Sequence, residues 1–507
     1  MISRATVVET RHGSVRGSRS EDGKISIFRG LAYAAPPVGP LRWRAPEPPA
    51  SWSGVKAATA FGPRCVQPDR AANSISYFGP EPQSEDCLYL NVWTADPSPG
   101  AKRPVMVWFH GGGFSVGSGA LPIFDGENLA RRGVVLVTLN HRLGGLGYLA
   151  HPQLTEESDF AASGNYGLLD QIAALTWVQD NIKGFGGDAN NVTIFGQSVG
   201  SSCVNVLMAS PLARGLFHRA IGESGGSMAP AGLPGGGSML YLRDAEDAGL
   251  QVARHYDCQS SAQMRALTAE EIQLRWPKPH ALRPFMVIDG HAVPRPLNEA
   301  YAEGRQFDVP LLTGANSDES SAIGPAATLE DFQATLKYEF GDQWQRLYAA
   351  YGGGEDFAYI SRRLGCHKRF NWVNWTWARE HQRTSSSKVY FYHFSQAPPL
   401  PDEPVAEGRG SKLGAFHTAE IPYVFGTQDR RPLAWTREDR DLSATMMGYW
   451  VNFATSGDPN GHGLPVWPVL NPDGATIMHF DQEPRIGNLP EREIFDLWDD
   501  CMSKLRV

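Results

Sequence analysis

Three serines of this chain sit in a G-x-S-x-G frame: Ser115 in GFSVG (113–117), Ser198 in GQSVG (196–200) and Ser224 in GESGG (222–226). A serine held between glycines becomes a nucleophile when it lies on a sharp turn from a strand into a helix. There its hydroxyl is exposed at the carboxyl edge of a sheet, and a helix N-terminus lies beneath the developing charge. Context separates the three. GFSVG runs into SGALPIFDG and GESGG into SMAPAGLPGGG, both too rich in glycine and proline to begin a helix. GQSVG follows the β-branched run VTIF and precedes SSCVNVLMAS, a fair short helix. Ser198 is the expected nucleophile.

Acyl transfer also needs donors for the tetrahedral oxyanion. His110-Gly111-Gly112-Gly113-Phe114 follows the apolar run PVMVWF (104–109), and its glycines let consecutive N–H groups converge on one oxygen. The base and its orienting acid should follow the serine, acid first. Asp318 and Glu319, in NSDES after VPLLTGA (309–315), stand where the acid is wanted. Of the downstream histidines, His381 falls in a helical pattern and His393 in a strand pattern. Loop positions leave His417, His462 and His479 open.

The elements around these residues read as an α/β fold. PVMVWF, VVLVTLN (134–140) and VTIF (192–195) are continuous apolar or β-branched runs with little alternation, as suits strands covered on both faces of a mostly parallel sheet. Between the last two, NYGLLDQIAALTWVQDNI repeats Leu168, Ile172 and Leu175 at i, i+4, i+7 and predicts a helix stopped by Gly184. Further strands are expected at 309–315 and 388–394, and helices within 240–275, 328–350, 355–383 and 437–456. GLGYLA (145–150) and GFGGDA (184–189) fit a loose dinucleotide pattern but lack the strand–loop–helix frame, and both read as turns. The expectation is one large α/β domain over residues 1–507, with an N-terminal β segment and helical insertions.

Lys plus Arg number 46 and Asp plus Glu 54, a net charge of −8 that is mild for 507 residues and argues against nucleic acid or an anionic membrane as partner. No run approaches the roughly 20 apolar residues of a membrane span. The opening MISRATVVETRHGSVRG lacks the apolar core of a secretory signal, so a cytoplasmic chain is expected. Six cysteines are too few for a disulfide scaffold. No C-x-x-C or H-E-x-x-H occurs, so no metal and no cofactor are expected. Cys203, Cys258, Cys366 and Cys501 read as small buried residues.

At this length of shared pattern the chain resembles the type B carboxylesterases, the α/β-hydrolase family that contains cholinesterases and bacterial para-nitrobenzyl esterases. The likeness rests on FRGLAYAAPPVGPLRWRAPEP (28–48), SEDCLYLNVW (84–93), VWFHGGGF (107–114), FGGDANNVTIFGQSVG (185–200), GANSDES (314–320) and GAFHTAEIPYVFG (414–426). It implies a triad of Ser198, Glu319 and His417, an oxyanion hole formed by the N–H groups of Gly112, Gly113 and Val199, and a supporting role for Ser224 beside the acid. It also implies an acyl-serine pathway. Cys65 and Cys87 match a pair that is disulfide-linked in secreted relatives. A second family pair is broken, since Cys258 faces Met264 near the expected partner position.

Departures from the family bear on substrate. Gln197 stands where relatives usually carry Glu, which removes a fixed negative charge. Val199 stands where Ala is usual, and its β-branched side chain is expected to narrow the acyl pocket. The segment between Cys65 and Cys87 holds Tyr77 and Phe78 but no tryptophan, against a cholinesterase. It is polar and Pro-rich, against a lid for fat droplets. Trp372, Trp375 and Trp377, at helical spacing, suit the core better than a substrate gorge. The expected substrate is a small short-chain or aryl ester, with tertiary-alcohol esters suggested by HGGGF. Carbamate or amide hydrolysis at the same site is the alternative, and a non-catalytic binding protein is disfavoured because every catalytic part is present. The oligomeric state stays open between monomer and weak dimer.

Overall fold

The computed structural model describes residues 6–69, 74, 81–233, 238–277, 283–353, 356–401, 413–471 and 476–505. Tyr77 and Phe78 lie outside these residues.

An eleven-stranded sheet organises the molecule. Its strands in chain order are β1 (Ser18–Arg19), β2 (Ser26–Ala32), β3 (Tyr89–Thr94), β4 (Arg103–Phe109), β5 (Val135–Leu139), β6 (Gly187–Gln197), β7 (Arg219–Glu223), β8 (Leu311–Asn316), β9 (Val389–Phe394), β10 (Thr476–Phe480) and β11 (Arg485–Asn488). Across the sheet they run β11-β10-β9-β8-β7-β6-β4-β5-β3-β2-β1. From β10 to β5 every neighbouring pair is parallel, while the strands at both edges pair antiparallel.

The central runs lack alternation because both faces are covered. Along β4, Val105, Val107 and Phe109 point into one core, and Met106 and Trp108 into the other. Helix α1 (Tyr166–Asn181) and helix α3 (Trp372–Thr384) pack on the first face, and helix α4 (Arg437–Ser456) on the second. The stripe of α1 is rotated slightly from the sequence reading. Leu168, Gln171, Leu175 and Val178 are buried, and Ile172 lies at the margin. Asp170, off that stripe, is buried against Arg142, whose guanidinium donates from Nη2 at 2.7 Å and from Nε at 2.9 Å.

Three local expectations are corrected. Helix α1 ends at Asn181, and a 3-10 turn over Ile182–Phe185 continues to a left-handed stop at Gly186 rather than Gly184. GLGYLA is not a turn: Gly144–Tyr148 forms one turn of helix. The segment 355–383 is broken at His367–Asn371 by a π-helical turn, a rare insertion often found near functional sites. Trp372, Trp375 and Trp377 are all core residues, with Trp372 stacked on Trp498 and the Trp377 indole donating to the Tyr301 hydroxyl. No helix among the described residues is long and apolar enough to cross a membrane.

Candidate active site

Ser198 occupies the turn between β6 and helix α2 (Val199–Leu207), with φ 58° and ψ −125°. Holding a non-glycine residue there costs roughly 1–3 kcal/mol, which the surroundings must enforce. Its N–H donates to the Glu223 carbonyl at 2.8 Å, and its carbonyl accepts from the Ser202 N–H at 3.0 Å. Gly200 is required because a Cβ would sit 2.0 Å from the Phe109 carbonyl oxygen. The other two serines behave as the context implied. Ser115 lies in a short loop with its hydroxyl on the Gly113 carbonyl, and Ser224 follows β7 with no helix after it.

The glycine loop passes directly over Ser198. A Cβ on Gly111 would lie 3.0 Å from the Ser198 Cβ, and Gly112, at φ 122°, would meet the Val116 carbonyl oxygen at 1.8 Å. His110 anchors the start of this loop, donating from Nδ1 to the Gly111 carbonyl at 2.8 Å and stacking on His141. Burial holds His110 down at about 4, so the ring is neutral. Among the described residues no acceptor takes the N–H of Gly112, Gly113 or Val199, which leaves all three donors free.

Which acid and which histidine meet is settled by geometry. Asp318 caps the 3-10 turn over Glu319–Ala322, accepting from the Ser320 and Gly414 N–H groups. Glu319, 1% exposed, accepts the Asn316 N–H at 2.8 Å on Oε1 and His417 Nδ1–H at 2.5 Å on Oε2. His462 is exposed, and His479 is within β10, bound to the Asn488 carbonyl. With its Nδ1 proton on Glu319, the His417 ring presents Nε2 as an acceptor. The Gln197 amide nitrogen lies 3.3 Å from it. Ser198 and His417 themselves share no hydrogen bond in this structure.

Sequence reasoning missed the residues behind the Glu319–His417 pair. Phe370, from the π-helical turn, lies against the His417 ring with centroids 4.4 Å apart. Asn316 Nδ2 donates to the Phe416 carbonyl and, at 2.6 Å, to Glu420 Oε2. Both Asn316 and Glu420 fall within GANSDES and GAFHTAEIPYVFG, so the signal was present but had no chemical role attached. The Ser224 hydroxyl is buried without a hydrogen-bond partner among the described residues, while the Asn316 backbone N–H donates to Glu319. Cys65 and Cys87 lie together as the resemblance implied, but both are buried thiols rather than a disulfide, and contact with Cys65 together with burial pushes the Cys87 thiol up. The remaining four cysteines are buried thiols.

Burial, then the charge of Glu319, pushes the Glu420 carboxyl up from 4.5 to about 7; the Asn316 amide and the His417 charge pull it partly back. Glu223, also fully buried, is held well above the usual range by burial and by Glu420, while the Trp450 indole donates to it at 2.8 Å. The folded chain therefore holds the Glu420 proton between pH 4.5 and 7 where the unfolded chain has lost it, and stability falls as pH rises through that window. Above it the charging cost is about 3 kcal/mol. Glu420→Gln cannot ionise and keeps an acceptor for Asn316. Relative to wild type it should melt about 3 °C higher at pH 8.5 and within a degree at pH 5. An equal difference at both pH values would refute this account of Glu420.

A strained serine on a strand-to-helix turn, at the carboxyl edge of a mostly parallel sheet, beside a buried Glu–His pair, defines an α/β-hydrolase. Comparison with known proteins places it further. The Carboxylesterase family model matches residues 4–350 and 367–498. The chain is 36% identical over 497 residues to the fumonisin B1 esterase of Sphingopyxis macrogoltabida, covering 94% of this chain and 86% of that protein. It is 35% identical over 505 residues to the para-nitrobenzyl esterase of Bacillus subtilis (strain 168), covering 96% and 97%. A solved PNB esterase structure superposes with a TM-score of 0.81 at 32% identity, covering 98% of this chain and all of that one. The chain belongs to the carboxylesterase family and is an enzyme of that family.

Proposed function

We propose that the chain hydrolyses short-chain and aryl carboxylic esters through an acyl-serine on Ser198, with His417 as general base and acid and Glu319 orienting the ring. The observation that carries this reading is the 2.5 Å bond from His417 Nδ1 to buried Glu319, on a ring whose other nitrogen is open to a donor at the Ser198 turn. Ser198 Oγ attacks the carbonyl carbon while its proton passes to His417 Nε2. The C–O bond to the alcohol then breaks, and the imidazolium returns the proton to the departing alkoxide. Water repeats the sequence against the acyl-serine, releasing the acid and restoring the hydroxyl. The N–H groups of Gly112, Gly113 and Val199 would receive the oxyanion, each donor contributing about 3 kcal/mol to the transition state.

Gln197 lies beside this pathway. Its amide nitrogen is 3.3 Å from Nε2 and 3.5 Å from Nδ1, against the ring rather than in line with the Nε2 lone pair, which stays available to the Ser198 hydroxyl; such catalytic bonds commonly tighten only in the substrate complex. The half-buried Val199 side chain favours small acyl groups.

The test is hydrolysis of 4-nitrophenyl butyrate beside 4-nitrophenyl dimethylcarbamate, with peptide mass mapping after treatment with an organophosphate. Faster ester turnover and a phosphoryl adduct on Ser198 are expected. Faster carbamate turnover would favour the carbamate reading, and an absence of both hydrolysis and adduct would remove the catalytic assignment.

A further inference from the structure

Two arginines near this site make no ion pair among the described residues. The exposed Arg283 guanidinium reaches the glycine loop, where Nη2 would lie 3.6 Å from a Cβ on Gly113. Its position is anchored two residues on, where Phe285 packs edge-on against Phe114 with centroids 5.0 Å apart. Phe114 is the residue that closes HGGGF and is itself buried, so the segment carrying Arg283 is tied to the loop. Arg369 comes from a different element. It belongs to the π-helical turn and directly precedes Phe370, the ring that covers His417.

The two cations sense each other. After burial, the charge of Arg283 is the strongest influence holding the Arg369 guanidinium below its ordinary range. Glu339 pulls in the other direction, but its carboxylate is bound to Lys368 at 2.8 Å. Neither arginine makes an ion pair or hydrogen bond among the described residues. In the buried layers, by contrast, Arg142 is met by Asp170 and Arg42 by Glu85. On a chain of net charge −8, two neighbouring guanidinium groups without an ion pair among the described residues make a local field that attracts anions. A guanidinium presents a planar fork of donors that fits a carboxylate.

We propose that Arg283 and Arg369 form an anion subsite beside the scissile bond, and that the preferred substrates are esters carrying a free carboxylate. This deepens the esterase reading and rests on it. The subsite would hold the substrate through a charge remote from the reacting carbonyl, and so fix the ester over Ser198.

The experiment compares matched pairs at equal pH and low salt. On the acyl side the pair is 4-nitrophenyl hydrogen adipate and 4-nitrophenyl hexanoate; on the alcohol side it is 4-carboxyphenyl butyrate and phenyl butyrate. The reading is the ratio of kcat/KM, anionic over neutral, which does not depend on the fraction of folded enzyme. In wild type at least one pair should favour the anion. That ratio should fall roughly tenfold or more in Arg283→Gln and in Arg369→Gln, and should also fall in wild type as salt is raised. Arg437→Gln, at the exposed start of α4, should leave it unchanged. Ratios unaltered by both active-site substitutions would overturn the subsite. Equal loss on both members of each pair would also overturn it, assigning Arg283 to the oxyanion instead. Failure of wild type on the neutral esters would count against the esterase reading itself, a separate outcome.

Discussion

Ser198→Ala should lower kcat for 4-nitrophenyl butyrate by about a million-fold while leaving the fold intact. The size follows from how the parts depend on one another. Without Oγ there is no atom for His417 to deprotonate and no covalent intermediate, so base and acid lose their function together. What survives is the contribution of the oxyanion donors and of substrate positioning, about a thousandfold over water. The backbone argues that the variant remains folded. The turn is held by the Ser198 N–H on the Glu223 carbonyl and by the Ser202 N–H on the Ser198 carbonyl, and neither bond uses the side chain. Alanine at φ 58° is no less strained than serine, so thermal unfolding should shift by only a few degrees. The check is steady-state turnover on protein freed of wild-type contamination, together with loss of the organophosphate adduct. A fall smaller than about a hundredfold would mean that another group is the nucleophile.

The parts of this molecule legible in sequence were those where one requirement dominates. Residues 104–109 read as a buried strand because both faces of β4 are covered, so every position must be apolar. Ser198 could be separated from Ser115 and Ser224 because, of the three motifs, only GQSVG permits a helix to follow, and one does. The outer strands were harder. β1 and β11 are short, largely uncovered hairpin strands, and β2 is bulged and held by the distant strand β3, so their own residues carry little pattern. Asp318 and Glu319 could not be ranked from type and spacing, since both are carboxylates in one loop. Tertiary contact separates them, one capping a turn and the other meeting an imidazole. The two arginines carried no signal either. Arg283 and Arg369 are 86 positions apart and sense each other's charge only when the fold brings the loop before Val287 near the π-helical turn.

The second large effect belongs to Glu319, and its cause lies in counting acceptors. The carboxylate uses one oxygen for the Asn316 N–H and the other for His417 Nδ1–H. Glu319→Gln leaves a single acceptor between two donors. If the amide oxygen keeps the Asn316 N–H, its NH2 group faces Nδ1, and the ring must move its proton to Nε2 to accept that bond. A ring protonated on Nε2 cannot take the Ser198 proton, so the base is lost although every atom stays near its place. The opposite orientation opposes the NH2 group to a buried backbone N–H and leaves the imidazolium without a counter-charge, which is costly in a site this dry. Both outcomes point the same way. The expected loss in kcat is about ten-thousandfold at neutral pH with little change in KM, and turnover should climb with pH as hydroxide takes over the role of base. Removing the Glu319 charge should also ease ionisation of Glu420, so the pH dependence of stability expected for wild type should move to lower pH in this variant. A variant that retains kcat within tenfold of wild type would show that His417 needs no acid to hold its tautomer.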